Sequence, residues 1–290
     1  MLGGKVTADR PCAVCGRVSS ELVYEIDDFP VVRCRCCGLV FVGRSQSPES
    51  LVALYDRSYW EDSQEVGYDG YGAAEKRKRH HFSTLLDQLE LFASPGAMLE
   101  IGSAYGYFLD EARSRGWQVR GIEPSAHAAG YARERFGLDV SPGPAEALRI
   151  DRDSLDAVVL WDVIEHLPDP RRTLRWAHRA LRSGGAIALS TGDVDSLSAR
   201  LHGADWSLMT PPWHQFYFSR ATMRRLLEDV GFSVERVDGD GVVAVDPASE
   251  SPRVPTGLAL ILRSKAVTTI ARRFGAGMTM FVFARKLPAT

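Results

Sequence analysis

Short apolar runs alternate with amphipathic segments through the last two thirds of the chain. The apolar runs predict strands at 97–102, 117–123, 155–163 and 186–191. The segments between them predict helices that stop at glycine, at 107–116, 125–137 and 170–185. Strands that alternate with helices of about ten to fifteen residues are typical of a parallel sheet covered on both faces. The pattern therefore predicts an α/β fold with a doubly wound sheet.

The pattern extends on both sides of this region. A helix at 221–232, a strand at 232–238 and an edge strand at 277–287 are expected downstream. Upstream, apolar residues recur at helical spacing over 75–92. The basic run at 76–81 starts this helix, and we interpret it as a solvated helix face in preference to a nucleic-acid patch or localisation signal.

All five cysteines lie near the start of the chain, and four of them have the spacing of a metal site. Cys12, Cys15, Cys34 and Cys37 form two C-x2-C pairs, and a glycine follows each pair. Strand-like residues between the pairs complete the pattern of a zinc ribbon, in which four protein ligands make the Zn²⁺ structural. Iron could occupy the same thiolates. Cys36 is left as a free thiol, or as a rival ligand in another register.

Composition describes an ordinary globular protein, with 45% hydrophobic and 25% charged residues. The formal charge of -2 provides no overall field to hold a polyanion. The first residues lack the apolar stretch of a secretory signal, and no apolar run reaches the ~18 residues needed to span a bilayer. We therefore expect a cytoplasmic protein without a membrane span, with reduced thiols.

The turn after the first predicted strand has the chemistry of a nucleotide site. Glu100, Gly102 and Gly106 fit the pattern E/D-x-G-x-G-x-G, with Ala104 at the middle glycine position, whereas the dinucleotide pattern G-x-G-x-x-G fails. Small residues let the backbone approach a ligand closely. Glu123 ends the second strand, where a carboxylate can accept both hydroxyls of a ribose.

The ordered motifs LEIGSAYGYFL, GIEPS, DAVVLWDVIEHLPDP and DWSLMTPPWHQFYFSRATMRRLLEDVGF resemble class I S-adenosylmethionine-dependent methyltransferases, specifically small bacterial members with an N-terminal zinc-binding segment. The resemblance covers nearly the whole chain and implies a Rossmann-like, mostly parallel sheet of seven strands. It also implies S-adenosylmethionine as the cofactor. The residues that the resemblance assigns to cofactor binding are Glu100, Gly102, Ala104, Gly106, Glu123, Ala145, Glu146, Trp161 and Asp162.

The predicted organisation is a zinc ribbon at 1–45, a helical linker or cofactor lid at 46–92, and an S-adenosylmethionine-binding domain at 93–290. Within the last domain, 201–220 is expected on the acceptor side. Its histidine, His214, is the first candidate for a catalytic base, and a hydrogen-bonded structural histidine is the alternative.

His166 is the second catalytic candidate, with a role in organising its loop as the alternative. A divalent cation bound by Glu165 and His166 is a third option. The aromatic residues of 201–220 could line a small acceptor pocket, although packing in the core accounts for their presence at least as well.

The expected function is methyl transfer to a nucleophilic O, N or C atom of a small molecule, such as a sugar or a specialised metabolite. An RNA base methyltransferase or RNA-binding module is the alternative, kept open by Arg10, Arg17, Arg33, Arg35 and Arg44 in the ribbon. Nucleic acid is nonetheless not the favoured partner, and homodimerisation stays open. The segment 258–274 is amphipathic, and packing on the sheet or a dimer contact is favoured over a membrane surface.

Overall fold

The computed structural model describes residues 8–55, 71–240, 265–273 and 276–288. Its main feature is a sheet of seven strands in the order β6-β5-β4-β7-β8-β11-β10. The strands are β4 (Ala97–Ile101), β5 (Gln118–Glu123), β6 (Val140–Pro142), β7 (Leu155–Trp161), β8 (Leu181–Gly192), β10 (Phe232–Gly239) and β11 (Thr279–Lys286). The predicted seven-stranded, mostly parallel α/β sheet is confirmed.

Helices connect the strands of the parallel part, in which β6, β5, β4, β7 and β8 run in one direction. The connecting helices are α3 (Tyr107–Ser114), α4 (Ala126–Phe136) and α5 (Pro170–Ala180), whereas α2 (Tyr71–Leu89) precedes β4 and α7 (Arg220–Val230) precedes β10. The other helices are α1 (Pro48–Ala53), α6 (Leu197–His202) and α8 (Lys265–Arg273). Strand β11 runs antiparallel between β8 and β10. Because parallel strands need crossovers, their carboxyl ends and the loops that follow meet along one edge.

One predicted boundary is wrong. Helix α5 ends at Ala180, and β8 already begins at Leu181, so 181–185 does not continue the helix. Gly184 has a φ of 75°, and the register of β8 against β7 shifts in this stretch. The two glycines therefore form an irregular start to the strand, although the pattern predicted them as a helix stop.

The core has two layers because residues alternate across the strands. Met98 and Val159 face the layer of α2, α3 and α4, where Leu86 and Phe108 pack. On the other face, α5 and α7 cover Leu99, Val158 and Leu160. The cysteine-bearing segment contributes to this second layer, through Cys12, Val14, Val32, Cys34 and Phe41.

A second, antiparallel sheet links the start of the chain to its middle. It contains β1 (Ser20–Ile26), β2 (Phe29–Cys34), β3 (Val40–Val42) and β9 (Phe216–Tyr217). Strand β9 pairs with β3 through Val40 opposite Tyr217 and Phe41 opposite Phe216. The predicted acceptor-side segment thus provides the fourth strand of the sheet that carries the cysteines.

Parts of three predicted segments lie outside the described residues: 1–7 of the ribbon, 56–70 of the linker or lid, and 258–264 and 274 of the amphipathic tail. Residues 265–273 of that tail form α8, which packs against β10. Among the helices that are described, none combines the length and hydropathy needed to cross a bilayer.

Candidate functional site

The turn after β4 is shaped by residues with positive φ angles. These are 73° at Gly102, 47° at Ala104 and 81° at Gly106. A Cβ on Gly102 would lie 2.4 Å from Cγ2 of Val163, and one on Gly106 would lie 2.6 Å from Cδ1 of Leu138. Both glycines are therefore required by close packing as well as by the backbone. Ala104 adopts a left-handed conformation that costs an L residue about 1 kcal/mol.

Glu123 at the end of β5 is held by this turn. Its Oε2 accepts a hydrogen bond from the amide of Ala104 at 2.9 Å, and its Oε1 accepts one from the amide of Ser125 at 2.9 Å. The side chain is 4% exposed. Burial raises the pKa of Glu123 to about 7, although both amides lower it. The carboxylate is thus positioned at the strand ends and titrates near neutral pH.

Glu100 lies one strand away and is also buried. Burial, together with the nearby charge of Glu123, raises the pKa of Glu100 well above its usual value. Its Oε2 is buried and has no hydrogen-bond partner among the described residues. An unpaired buried oxygen of this kind is satisfied by a positively charged or hydrogen-bond-donating ligand.

The end of β7 brings Trp161 and Asp162 to the same edge. Asp162 has a φ of 52°, its amide donates to Oγ of Ser190 at 2.9 Å, and that hydroxyl donates to Oδ1 of Asp162 at 2.7 Å. Trp161 is 8% exposed and packs edge-on against Phe108, with ring centroids 5.5 Å apart. The backbone of this loop is therefore fixed by the neighbouring strand β8.

Ala145 and Glu146 lie in a short 3-10 helix after β6. Ala145 is buried, and Glu146 accepts a hydrogen bond from Oγ1 of Thr173 in α5 at 2.6 Å. This contact ties the 3-10 helix to α5. Glu146 therefore has a structural contact besides the cofactor role that the sequence predicts.

The loop after β7 and the segment before β9 meet in a cluster of three ligand-type side chains. One nitrogen or oxygen atom each from Glu165, His166 and His214 lie within 4.8 Å of one another. The rings of His166 and His214 are 4.6 Å apart in an edge-to-face contact. The sequence predicted both histidines individually, but not that the fold brings them together across 47 intervening positions.

Hydrogen bonds hold the two imidazoles. Nδ1 of His214 is 2.7 Å from the carbonyl oxygen of Leu208, and Nδ1 of His166 is 2.9 Å from the carbonyl oxygen of Trp213. The hydroxyl of Tyr55, which the sequence analysis missed, lies 2.8 Å from the same nitrogen of His166. No sequence signal marks Tyr55, because only folding brings it to this loop.

Desolvation sets the charge of the cluster. It lowers the pKa of His214 to about 3, with a further decrease from His166, and it lowers the pKa of His166. Burial raises the pKa of Glu165 to about 8, and the charge of Asp162 adds to the increase. Both imidazoles are therefore neutral near pH 7.

The aromatic residues near His214 belong mainly to the core. Trp206 and Tyr217 pack with Val31 and Val42, and Phe216 and Phe218 are buried in the layer beneath α7. Trp213, by contrast, is 39% exposed. Core packing thus explains most of this aromatic set.

The four predicted cysteine ligands come together. Sγ of Cys12 is 3.4 Å from Sγ of Cys37, and Sγ of Cys15 is 3.5 Å from Sγ of Cys34. Sulfurs bound tetrahedrally to one zinc ion at ~2.3 Å are about 3.8 Å apart, so the donor set and its size fit Zn²⁺. Cys36 is exposed and lies outside the cluster.

Two glycines and the backbone form the knuckles of this cluster. Gly16 has a φ of 71° and donates to the carbonyl of Cys12, while Gly38 has a φ of 81° and donates to the carbonyl of Cys34. Burial raises the pKa of Cys34, but amide hydrogen bonds from the second knuckle outweigh it and bring the value to about 7. The knuckles therefore favour a thiolate at one ligand position.

Two arginines fasten the cysteine segment to the rest of the molecule. Arg10 donates to the carbonyl of Gln215 at 3.2 Å and lies over the ring of Phe216, 4.6 Å from its centroid. Arg171 in α5 donates to the carbonyl of Ala13 at 3.0 Å and pairs with Asp229 at 3.0 Å. Arg10, one of the five arginines that suggested an RNA-binding role, is thus in contact with other parts of the protein.

A cavity of about 490 Å³ lies away from all these groups. It is lined by Pro95, Asp156, Gly184 and Arg285, among other residues at the amino ends of the parallel strands. It contains none of the predicted site residues. Ligands of doubly wound sheets bind at the carboxyl ends of the strands. We therefore place the candidate site at the carboxyl ends, where the side chains described above converge, and not at this cavity.

Comparison with known proteins identifies the family. A model of the methyltransferase domain family matches residues 73–237, which is more than half of the chain. The chain therefore belongs to this family. The match begins in α2, ends within β10 and includes every residue predicted at the strand ends.

Curated relatives match over part of their length. A protein of Mycolicibacterium smegmatis named as a probable S-adenosylmethionine-dependent methyltransferase is 32% identical over 139 residues, which cover 48% of this chain and 52% of the relative. A ubiquinone biosynthesis O-methyltransferase of Caulobacter vibrioides is 31% identical over 133 residues, covering 41% of this chain and 52% of the relative. The chain thus spans about half the length of these relatives.

Solved structures share the fold. A methyltransferase from Archaeoglobus fulgidus aligns with a TM-score of 0.52 and 19% identity over 72% of this chain and 94% of the other. A Thermotoga maritima protein described as a possible histamine N-methyltransferase aligns with a TM-score of 0.50 and 23% identity, covering 72% and 91%. At these identities the comparison supports the fold alone.

The turn provides a paired test of backbone strain. Gly102→Ala should destabilise the fold by about 2–5 kcal/mol, because it adds a positive-φ penalty to a contact with Val163. Ala104→Gly should leave stability within about 1 kcal/mol of the original chain, on the stabilising side, because released strain outweighs the added chain entropy. Urea denaturation of the three proteins measures both effects. Equal stability of all three would contradict the turn geometry.

Ionisation of Glu123 predicts a pH dependence. Because burial raises its pKa in the folded state, its contribution to stability is greatest below about pH 4.5 and is lost as the pH rises through about 7. The ionised form, in contrast, is the one that would accept two ribose hydroxyls in the predicted cofactor site. S-adenosylhomocysteine should therefore raise the melting temperature more at pH 8 than at pH 5.5. Glu123→Gln should reduce this difference, and Glu100, whose pKa is also raised, accounts for what remains. A larger stabilisation at pH 5.5 would contradict the assignment.

Proposed function

We propose that this chain transfers a methyl group from S-adenosylmethionine to a nucleophilic O, N or C atom of a small-molecule acceptor. The observation that carries the proposal is the arrangement of two buried carboxylates, Glu100 and Glu123, on either side of the turn at the carboxyl ends of β4 and β5. Membership of the methyltransferase domain family supports it. An oxygen acceptor is favoured by the O-methyltransferase relatives.

The donor fits these residues by charge and by hydrogen bonding. Glu123 would accept the two ribose hydroxyls, and Gly102, Ala104 and Gly106 would let the backbone lie against the methionine part. Glu100 would pair with the cationic end of the donor through the oxygen that has no partner among the described residues. Burial and the charge of Glu123 disfavour the ionised form of Glu100 when no ligand is bound, and a positive ligand would stabilise that form.

The remaining predicted contacts surround this centre. We propose that Ala145 and Glu146 lie beside the adenine of the bound donor, and that Trp161 and Asp162 lie between the donor and the acceptor. S-adenosylmethionine supplies a methyl group on a positively charged sulfur, which an aligned nucleophile displaces in line. The role of the protein is to exclude water and orient the two reactants, and the rigid loop after β7 is suited to it.

His166 and His214 are the proposed residues that activate the acceptor. A carbonyl oxygen only accepts hydrogen bonds, so Nδ1 of each ring donates to its carbonyl and Nε2 keeps a lone pair. At His166 this tautomer requires the Tyr55 hydroxyl, 2.8 Å from Nδ1, to accept from the same N–H. That lone pair can accept a hydrogen bond from an acceptor hydroxyl or amine. The short distance between the rings lets both act on one acceptor.

The cysteine cluster is proposed to bind a structural Zn²⁺. Four thiolates leave no open position for a substrate, so the ion would stabilise the segment that pairs with β9. Reduced thiols at this site fit a cytoplasmic location. We propose that 1–45, 46–92 and 93–290 are the functional divisions of the chain. The first and last of them share a hydrophobic core and the antiparallel sheet.

A small acceptor is favoured over RNA. The net charge of -2 offers no general attraction for phosphates, and the guanidinium of Arg10 is engaged between Gln215 and Phe216. Arg35 is paired with Glu21 at 3.3 Å. Homodimerisation stays a prediction from the sequence.

Calorimetry tests the donor site. S-adenosylhomocysteine should bind the unmodified protein, and Glu123→Ala should weaken binding at least about tenfold, because it removes charge-assisted hydrogen bonds worth about 1.5–3 kcal/mol. Glu134→Ala, an exposed carboxylate on α4, is the matched control and should bind normally. Absence of binding to the unmodified protein, or equal binding by Glu123→Ala, would reject the proposal.

Metal analysis tests the cysteine site. The purified chain should contain one zinc ion, Cys36→Ser should retain it, and Cys15→Ser should lose most of it because one of four ligands is missing. Chelation should increase amide exchange in 8–45 and in β9 while donor binding persists. Atomic emission distinguishes zinc from iron. Equal metal contents of the two variants would show that the cluster is not the site.

A further inference from the structure

We propose that Glu165, His166 and His214 bind a divalent transition-metal ion, which holds an acceptor carrying two adjacent oxygen donors. The acceptor part of this inference rests on the proposed methyl transfer. The metal part stands on the side chains alone. In this inference the metal ion, and not the imidazoles, activates the acceptor, because one nitrogen lone pair cannot bind both a metal ion and a proton.

The donor set is the first argument. Two imidazoles and one carboxylate converge, with one atom from each within 4.8 Å of the others. Ligands bound at ~2.1 Å in a tetrahedral arrangement are about 3.4 Å apart, so side-chain adjustments of roughly 1 Å close the site. Three protein ligands leave at least one position open for a substrate. Imidazole donors favour zinc, iron or a similar ion over magnesium.

The orientation of the rings is the second argument. Metal-bound histidines almost always donate their other ring nitrogen to a carbonyl or carboxylate, which fixes the tautomer. Both rings already have this arrangement, His214 with the carbonyl of Leu208 and His166 with that of Trp213. With Nδ1 as the donor in each ring, and with the Tyr55 hydroxyl accepting at His166, Nε2 is the nitrogen of each ring that is left to bind a metal ion.

The third argument is the carboxylate. Oε2 of Glu165 is buried and has no hydrogen-bond partner among the described residues. The backbone carbonyl of the same residue accepts hydrogen bonds from the amides of Gln215 at 2.8 Å and Phe216 at 3.2 Å, which fixes Glu165 beside the segment of His214. A buried carboxylate oxygen left without a partner costs free energy that a bound cation would offset.

The position of the cluster determines what the ion could do. Glu165 follows β7 by four positions and interacts electrostatically with Asp162, at the edge that carries the proposed donor site. An ion that expands from four to five ligands has two open positions beside its three protein ligands. Two such positions suit an acceptor such as a catechol, a vicinal diol or a hydroxycarbonyl compound. Metal binding lowers the pKa of a bound hydroxyl, whose proton passes to water. The metal-bound oxygen then forms a bond to the methyl carbon while the carbon–sulfur bond breaks, and that electron pair remains on the donor sulfur.

Electron paramagnetic resonance of Mn²⁺ tests the site directly. Mn²⁺ is chosen because hard oxygen and nitrogen donors bind it and the thiolates of the cysteine cluster prefer softer ions. The chain is first prepared with a single zinc ion, held by the cysteine cluster, so that the Glu165–His166–His214 site is not filled by zinc. Titration of this chain should remove the free-ion signal with one Mn²⁺ per chain. Glu165→Gln and His214→Ala should each weaken binding at least about tenfold, whereas His80→Ala, an exposed histidine on α2, should have no effect.

Retained S-adenosylhomocysteine binding and an unchanged melting curve show that the variants are folded. Absence of Mn²⁺ binding to the unmodified chain, or equal binding by all variants, would overturn the metal site while the methyl-transfer proposal stands. Conversely, Mn²⁺ binding without donor binding would support the metal site and reject the methyl transfer. A catechol such as protocatechuic acid should perturb the spectrum of bound Mn²⁺, and an unchanged spectrum would overturn the acceptor class.

Discussion

The backbone carbonyl of Glu165 is the point on which the proposed acceptor side of this molecule depends. It accepts the amides of Gln215 and Phe216, and the carbonyl of Gln215 in turn accepts the amide of Val42 at 2.9 Å. Three distant parts of the chain are joined by these bonds: the loop after β7, the short strand β9 and the strand β3 next to the cysteine knuckles. The cysteine segment is therefore part of the wall that supports the histidines. A metal bound there would act on the site through strand pairing, since the cluster itself has no open ligand position.

Buried carboxylates dominate the electrostatics of the same edge. Burial raises the pKa of Glu100, Glu123 and Glu165, so the ligand-free protein binds protons that the unfolded chain would release near neutral pH. Positive ligands reverse this preference. A sulfonium with its ammonium group at Glu100, and a cation at Glu165, would both supply charge where the fold has concentrated acceptors. In the proposed mechanism these carboxylates would hold cationic partners on both sides of the reacting atoms, and their burial costs stability when no cation is bound.

Local patterns made much of this predictable. The cysteine cluster was predictable from its spacing and adjacent glycines, and the tight turn after β4 from a strand, three small residues and an acid at the next strand end. The helix end at Gly184 and Gly185 was misplaced because the same two glycines serve equally well as a helix stop or as the irregular start of β8. What the sequence could not show is the meeting of Glu165 with His214. That contact depends on β9, a strand of two residues whose only signal is its pairing with β3.

The most direct test of this account is a crystal structure of the chain with S-adenosylhomocysteine bound. The ribose should lie on Glu123, the amino group should lie beside Glu100, and the sulfur should face the cluster of Glu165, His166 and His214. Density for the ligand in the cavity lined by Pro95, Asp156 and Arg285, or a sulfur directed away from the histidines, would contradict it.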